Sequence, residues 1–390
     1  MVYVGIDVAS QKHDFFIMND LGEAYTTHSI TIPNSNEGYK KLHNSIQEFC
    51  GATNDFKVRI GLESTGFYHK NIVSYLLSLD YEIMVINPIL TNMYKKSKKV
   101  HIQKNDNIDS IYICMYLGDT RTVFKPYTIV SYHSDALKAL SRERFSLVEE
   151  LRLAKIGIYR LLVHVFPEYL KLFSNIYQGS ALSILERYNN PDRLSKAHIS
   201  TISSLIHGRC RVSAIEIINA AKNSIGIKDD CLYFELERAI IRLKYINSQI
   251  EEYNKEIKRY IELLNSPILS IPGISYITAG IILGEIGDIS NFKNAESLIS
   301  YSGLDVIIYE SGKYKRTNLS ISKKGSIYLR YALYQAARVC WISDPMFHNF
   351  YLKKQNENKH FYVILGHIEK KLVKVIYSVL KNNKPYSPHL

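Results

Sequence analysis

VYVGIDVASQKHDFFIMND, residues 2–20, sets two apolar runs on either side of a short polar break and places an aspartate, Asp7, inside the first. VYVGIDV reads as a buried strand, and HDFFIMND (13–20) as a second with the polar turn NDLGEA behind it. YTTHSITI (25–32) reads as a third strand, after which the period changes. NEGYKKLHNSIQEF (36–49) spaces Leu42, Ile46 and Phe49 as a helix would, and FKVRIGLE (56–63) returns to strand. HKNIVSYLLSL (69–79) is helical, with Ile72, Val73, Leu76 and Leu77 on one face, and YEIMVIN (81–87) is a strand ending at Pro88. A basic connector (Lys95, Lys96, Lys98, Lys99) leads to a helix in NDNIDSIYICMYL (105–117), buried through Ile108, Ile111 and Met115. The first 125 residues therefore predict an α/β domain of order βββαβαβα.

Asp7 is the residue in this stretch that needs a reason. A carboxylate inside an apolar strand is costly unless it meets a cation or a metal, and Glu63 at the end of FKVRIGLE poses the same problem. Placing the first and fourth strands side by side, which this order permits, makes the two acids neighbours. Asp106 and Asp109, three apart at a helix start, project from one face and can cover that end of the sheet. Read singly, Asp106 is equally an N-cap and Asp109 a favourable first-turn charge. Four carboxylates converging with no Lys or Arg between them call for divalent cations. Oxygen-only ligands select Mg²⁺, with Mn²⁺ as the alternative, and two such ions suit phosphoryl transfer.

The bulk numbers agree with a nucleic-acid enzyme without requiring one. Among 390 residues, 49 Lys and Arg exceed 37 Asp and Glu, for a net charge of +12 that favours a polyanionic partner. The same Lys, Asn, Ile and Tyr richness also follows from an AT-rich coding sequence. Cys50, Cys114, Cys210, Cys231 and Cys340 are scattered, odd in number and free of CxxC spacing, which excludes a disulfide framework or zinc site and fits a reducing cytoplasm. No signal or membrane-spanning segment is expected, since the opening apolar run meets Asp7 at once and the run near Ile274–Ile286 is short and holds Glu285.

Residues 126–265 predict two long amphipathic helices, about 133–166 and 231–264, with an irregular helical insertion at about 167–230. Such helices pair with each other or with another subunit's copies. From 266 to 390 the chain reads as mainly α-helical. SPILSIPGISYITAGIILGEIG (266–287) is either a helix-hairpin-helix-like phosphate grip turning on Gly273 or a plain helical hairpin. YESGKYKRTNLSISKKG (309–325) sets Ser311 at the head of a loop with Lys313, Lys315, Arg316, Lys323 and Lys324. By local chemistry alone this is a turn with a solvated cationic face, or a nucleophile in a positive field.

Several of these stretches together resemble the DEDD transposases of bacterial insertion sequences, also described as bridge-RNA-guided recombinases. YVGIDVASQKHDFFI resembles that family's opening strand, IGLESTGFYHKNI its E-[AS]-T-G-x-Y segment, and VINP with KNDNIDS its K-T-D-x-x-D-A box, in which Asn105 and Ser110 depart from the usual Thr and Ala. SIPGISYITAGIILGEIGD, LISYSGLDVIIYESGKYKR and ISKKGSIYLRYALYQAA follow in the order of its transposase domain. The resemblance implies an RNase H/RuvC-like N-terminal domain whose acidic roles fall on Asp7, Glu63, Asp106 and Asp109, then a coiled coil, then a helical domain whose catalytic serine is Ser311. It implies a dimer or tetramer, donor and target DNA as substrates, a structured guide RNA, and exchange through a phosphoserine. On the same reading Gly273, Lys313, Lys315, Arg316, Lys323, Lys324 and Arg330 are expected nucleic-acid contacts. A RuvC-like nuclease working with the acids alone, and a non-catalytic nucleic-acid-binding protein, are the competing readings.

Overall fold

The computed structural model describes residues 1–64, 68–98, 108–177, 179–208, 210–306, 310–311, 314–315 and 321–388, with 129–130, 310–311 and 314–315 described by backbone alone. The chain divides into two compact units, 1–132 and 133–390.

The first unit is built on a five-stranded sheet. Its elements run β1 (Val2–Val8), β2 (Lys12–Asn19), β3 (Ile30–Pro33), α1 (Asn36–Thr53), β4 (Val58–Glu63), α2 (His69–Leu77), β5 (Glu82–Ile86), α3 (Pro88–Lys98) and α4 (Asp109–Gly118). The strand order is β3-β2-β1-β4-β5. β1 runs antiparallel to β2 and parallel to β4, and β4 runs parallel to β5. The expected neighbouring of the first and fourth strands is therefore present. The third strand is shorter than its apolar run suggested.

Alternation along β1 divides the work between the two faces of the sheet. Val2, Val4, Ile6 and Val8 pack with Leu42, Ile46 and Phe49 of α1 and Ile72, Val73 and Leu76 of α2. The other face carries Tyr3, Gly5 and Asp7, and there Tyr3, Met84 and Ile86 meet Ile113 and Leu117 of α4. Gly5 and Gly61 face each other in register. A Cβ on Gly5 would stand 2.1 Å from the Ser110 carbonyl oxygen and 2.4 Å from the Cys114 nitrogen, and one on Gly61 2.7 Å from Leu117 Cδ1. The backbone of α4 thus rests directly on the middle of the sheet.

One expectation is corrected here. The lysine-rich stretch after Pro88, read as a connector, is helix α3. Pro88 suits the first helical position, where no N–H is needed, and the Asn87 side chain accepts from the Ile89 N–H at 2.9 Å to cap the start.

Among its described residues the second unit is helical apart from one small hairpin and an isolated bridge. The long helices α5 (Ile129–Val165) and α11 (Asp230–Leu264) flank five short ones, α6 (Tyr169–Leu172), α7 (Gly179–Arg187), α8 (Pro191–Ser195), α9 (Ile199–Leu205) and α10 (Ala214–Lys222). The short helices form a core with the ends of the long pair through Leu162, Val165, Tyr169, Ile184, Ile217, Leu236 and Leu243. The chain continues as α12 (Tyr276–Ile286), α13 (Ala295–Tyr301), β6 (Glu310–Ser311), β7 (Tyr314–Lys315), α14 (Ile327–Ser343), α15 (Pro345–Asn356) and α16 (Phe361–Asn382). Among the described residues no helix is long and apolar enough to cross a membrane.

The helix-hairpin-helix-like element is also corrected. Its first helix is a single 3-10 turn, Pro267–Ser270. Pro272 holds Ile271 extended, at φ −79 and ψ 120, so the turn cannot lengthen. Gly273, at φ +86, lies against α14, where a Cβ would meet the Cys340 nitrogen at 2.8 Å. Its glycine character serves that packing.

The glycine seat predicts an asymmetric response. Gly5→Ala, which strikes backbone, is expected to cost about 3 kcal/mol in the unfolding transition of the first unit, whereas Gly61→Ala, which strikes the end of a leucine, costs about 1 kcal/mol. Urea denaturation followed by far-UV circular dichroism checks the pair, and equal losses would contradict the backbone seat.

Candidate active site

The acidic centre is assembled by register. The last paired step of the β1–β4 ladder joins Ile6 with Leu62, so Asp7 and Glu63 stand side by side one residue further on, on the face that α4 covers. Asp109 opens α4 at the same end. Of the expected four acids these three are brought together, and Asp106 lies outside the described residues.

The expectation that no cation intervenes is corrected by Lys95. Its Nζ lies 2.7 Å from Asp109 Oδ2 and 4.0 Å from Glu63 Oε1, and its side chain is 15% exposed. Thr91, one helical turn earlier on α3, donates its hydroxyl to Glu63 Oε1 and, at 3.0 Å, to the Pro88 carbonyl. Helix α3 therefore holds Glu63 with one donor and bridges it to Asp109 with another. The sequence signal was the i, i+4 spacing of Thr91 and Lys95, legible only if α3 is recognised as a helix.

Asp14 is a further carboxylate at this end. It faces Asp7 in the antiparallel register, is 5% exposed and accepts from the Thr31 hydroxyl. It presents in β2 the same local conflict that drew notice to Asp7 in β1.

The electrostatics follow from this crowding. Burial pushes the Asp7 carboxyl up to about 6, and the negative charges of Asp109, Glu63 and Asp14 add to that rise, with Lys95 opposing it. Among the described residues no three acidic, His or Cys side chains are drawn together closely enough to hold an ion. The donor set is nevertheless oxygen only, negative in excess, and already gathered about a cation in the form of the Lys95 ammonium. That combination fits a hard divalent ion.

The second unit carries the serine loop. Ser311 closes β6 and pairs across the hairpin with Tyr314, while Glu310 pairs with Lys315. Gly312, Lys313 and Arg316 lie outside the described residues. Lys323 and Lys324 are exposed at the foot of the loop. Arg330 spends Nη1 on the carbonyls of Ser302 at 3.2 Å and Gly325 at 2.9 Å, so at least that nitrogen holds protein backbone.

Both features lie within matched segments of known proteins. Residues 4–167 match a transposase family model of the DEDD, IS110 type, and residues 265–352 match one described as Transposase IS116/IS110/IS902 family. The chain belongs to this transposase family. It is 23% identical over 391 residues to a pilin gene-inverting protein of Moraxella bovis, covering 100% of this chain and 98% of that one. It is 36% identical over 97 residues to the transposase of insertion sequence element IS1328 from Yersinia enterocolitica, covering 24% of this chain and 29% of the relative. A solved RuvC from T. thermophilus in complex with Holliday junction substrate aligns over 30% of this chain and 90% of its own, with 12% identity and a TM-score of 0.22. That likeness is too slight to bear on the fold, which rests on strand order and register. As a member of the family this transposase is an enzyme acting on DNA.

Two outcomes test the acidic centre. A carboxyl whose pKa rises on folding favours the fold while protonated, and that contribution fades as pH climbs from 3.8 through about 6. Asp7→Asn, assayed without divalent cations, is therefore expected to match the wild type near pH 4 and to exceed it above pH 6 by on the order of 1 kcal/mol after solvent screening. Thermal melts across that range check it. Lys95→Met removes the resident ammonium, so the cation-free protein should melt lower while Mg²⁺ binds roughly tenfold more tightly by calorimetry. Weaker Mg²⁺ binding would mean that Lys95 supports the ion and does not compete with it.

Proposed function

We propose that this transposase cleaves and rejoins DNA strands through a covalent Ser311–DNA intermediate, with the acidic centre assisting and a structured RNA guiding the choice of DNA. The observation that supports the reading is that the chain holds two separately built features, carboxylates converging on one sheet end and a small hairpin that carries Ser311 within a Lys- and Arg-rich stretch. A hydrolytic nuclease needs only the first.

In this reading the Ser311 oxygen attacks a backbone phosphorus. The serine–phosphorus ester forms as the strand's own bridging oxygen leaves and takes a proton. Attack by the hydroxyl of another strand end reverses the step, frees the serine and joins the new strand. One ester replaces another throughout, so no external energy source is required. Lys313, Lys315, Arg316, Lys323 and Lys324 hold the phosphate and favour the developing negative charge. Asp7, Glu63, Asp106 and Asp109 would hold Mg²⁺ or Mn²⁺, which supplies charge neutralisation at phosphorus and lowers the pKa of a bound hydroxyl.

The net charge of +12 suits binding to both DNA and RNA. Strand exchange also accords with a full-length relative named for inverting a pilin gene. The paired long helices suit a homo-oligomer, a dimer or a tetramer, in which one subunit's acids serve another's serine.

The test uses the full chain, RNA from the flanking non-coding DNA, Mg²⁺ and end-labelled donor and target DNA, resolved under denaturing conditions. The wild type is expected to give a protein-linked DNA band that Ser311→Ala lacks. Free cleaved ends in equal amount from both proteins would leave Ser311 a turn residue and make the enzyme a nuclease working with its carboxylates alone.

A further inference from the structure

Glu285 is one of three buried carboxylates among the described residues of the second unit, with Asp344 and Glu369. It sits in YITAGIILGEI, an otherwise uncharged helix, with its side chain 2% exposed. An isolated buried carboxylate would cost several kcal/mol, and this one is not isolated. Arg142 of α5 donates to it twice, from Nε to Oε1 at 2.7 Å and from Nη2 to Oε2 at 3.1 Å. The Ser326 hydroxyl donates to Oε2 at 2.9 Å, and the Tyr301 hydroxyl donates to the Glu285 backbone carbonyl at 3.0 Å.

Tyr301 and Ser326 are the two ends of the neck from which the serine loop emerges. The outgoing and returning chains run together from there to a bridge between Val306 and Ile321. Ser326 N–H donates to the Tyr301 carbonyl at 3.3 Å, Lys323 N–H to Gly303 at 3.0 Å and Ser322 N–H to Asp305 at 2.8 Å. The two chains are so close that a Cβ on Gly325 would lie 1.8 Å from the Tyr301 carbonyl oxygen. The neck of the loop, residues 301–306 and 321–326, is thus tied together at its base, and Glu285 contacts both chains of that base. Arg142 stacks over the Tyr328 ring at 4.8 Å, so the tie reaches the first turn of α14 as well.

We propose that Glu285 is a positioning residue for Ser311: its carboxylate, held by Arg142, fastens the foot of the loop to the long helix α5 and so fixes the direction in which the serine is presented. A buried ion pair adds little net stability over an apolar replacement. Its value lies in defined geometry, and the geometry it defines here is that of the neck. The inference rests on the reading of Ser311 as nucleophile.

The experiment separates anchoring from helix capping, because the Ser326 side chain also accepts from the Leu329 N–H at 3.2 Å. Ser326→Asp keeps a good cap but sets a carboxylate against Glu285, Ser326→Thr keeps both bonds, and Glu285→Gln keeps the shape without the charge. Arg142 is 44% exposed and turns to water when its partner is neutral, so the Gln variant folds. Two quantities are read on the full chain, the single-turnover rate of protein-linked DNA formation and the affinity for DNA. Ser326→Asp and Glu285→Gln are expected to slow the covalent step by about 10- to 100-fold while affinity stays within about twofold, with Ser326→Thr restoring the rate. Hydrogen exchange at the Ser322 and Lys323 amides should quicken in the two slow variants and not in Ser326→Thr. Rates equal to wild type in all variants, with Ser311→Ala inactive, would overturn this inference alone. No adduct from the wild type would overturn the serine reading and this inference with it.

Discussion

The close seat of α4 on the sheet is the constraint from which the acidic centre follows. Gly5 and Gly61 are paired in register at its middle; at Gly5 the helix backbone lies directly on the strand, and at Gly61 the Leu117 side chain fills the space a Cβ would need. A helix lying that low brings its first residue, Asp109, down to the end of the sheet where Asp7 and Glu63 emerge two positions beyond the glycines on the same face. Larger residues at 5 or 61 would lift the helix and carry Asp109 away from its partners. The pleat contributes as well, since a period of two places each acid on the same face as its glycine.

Gathering carboxylates in this way creates the problem that the neighbouring elements address. Asp7 is lifted to about 6 by burial and by the surrounding acids. Thr91 and Lys95, a turn apart on α3, and Thr31 beside Asp14 supply the compensating donors. Among the described residues the centre therefore holds an excess of negative charge, partly neutralised by the Lys95 ammonium.

Much of this was legible in the sequence because it rests on local pattern. The alternation in VYVGIDV, the helical spacing of Leu42, Ile46 and Phe49, and the conflict of Asp7 and Glu63 with their apolar surroundings are visible without tertiary information, and together they point to the succession of elements along the chain and to two of the acids. What escaped reading depended on context. Helix α3 was hidden because Pro88 and a lysine run each read as interruption, though Pro at a first helical position is favourable and Lys is a good helix former. With α3 unread, Lys95 could not be placed in the site. Asp14 was hidden because its neighbour is fixed by hairpin register, which the apolar run alone does not set. The packing of Gly273 against α14 was not legible because a positive φ serves a phosphate grip and a close helix contact equally well, and only the tertiary structure brings α14 to it.

The two units use buried charge to the same end by opposite arrangements. In the first, carboxylates are in excess and the cation is a single lysine on a neighbouring helix, an arrangement that leaves the centre open to a stronger cation. In the second, Glu285 accepts from a two-bonded arginine and a serine hydroxyl, which suits it to holding a shape. A point-charge ammonium is easily displaced and a planar guanidinium fork is not. On the proposed reading, the lysine at 95 and the arginine at 142 differ accordingly: a displaceable point charge among the carboxylates, and a two-bonded fork beneath the serine loop.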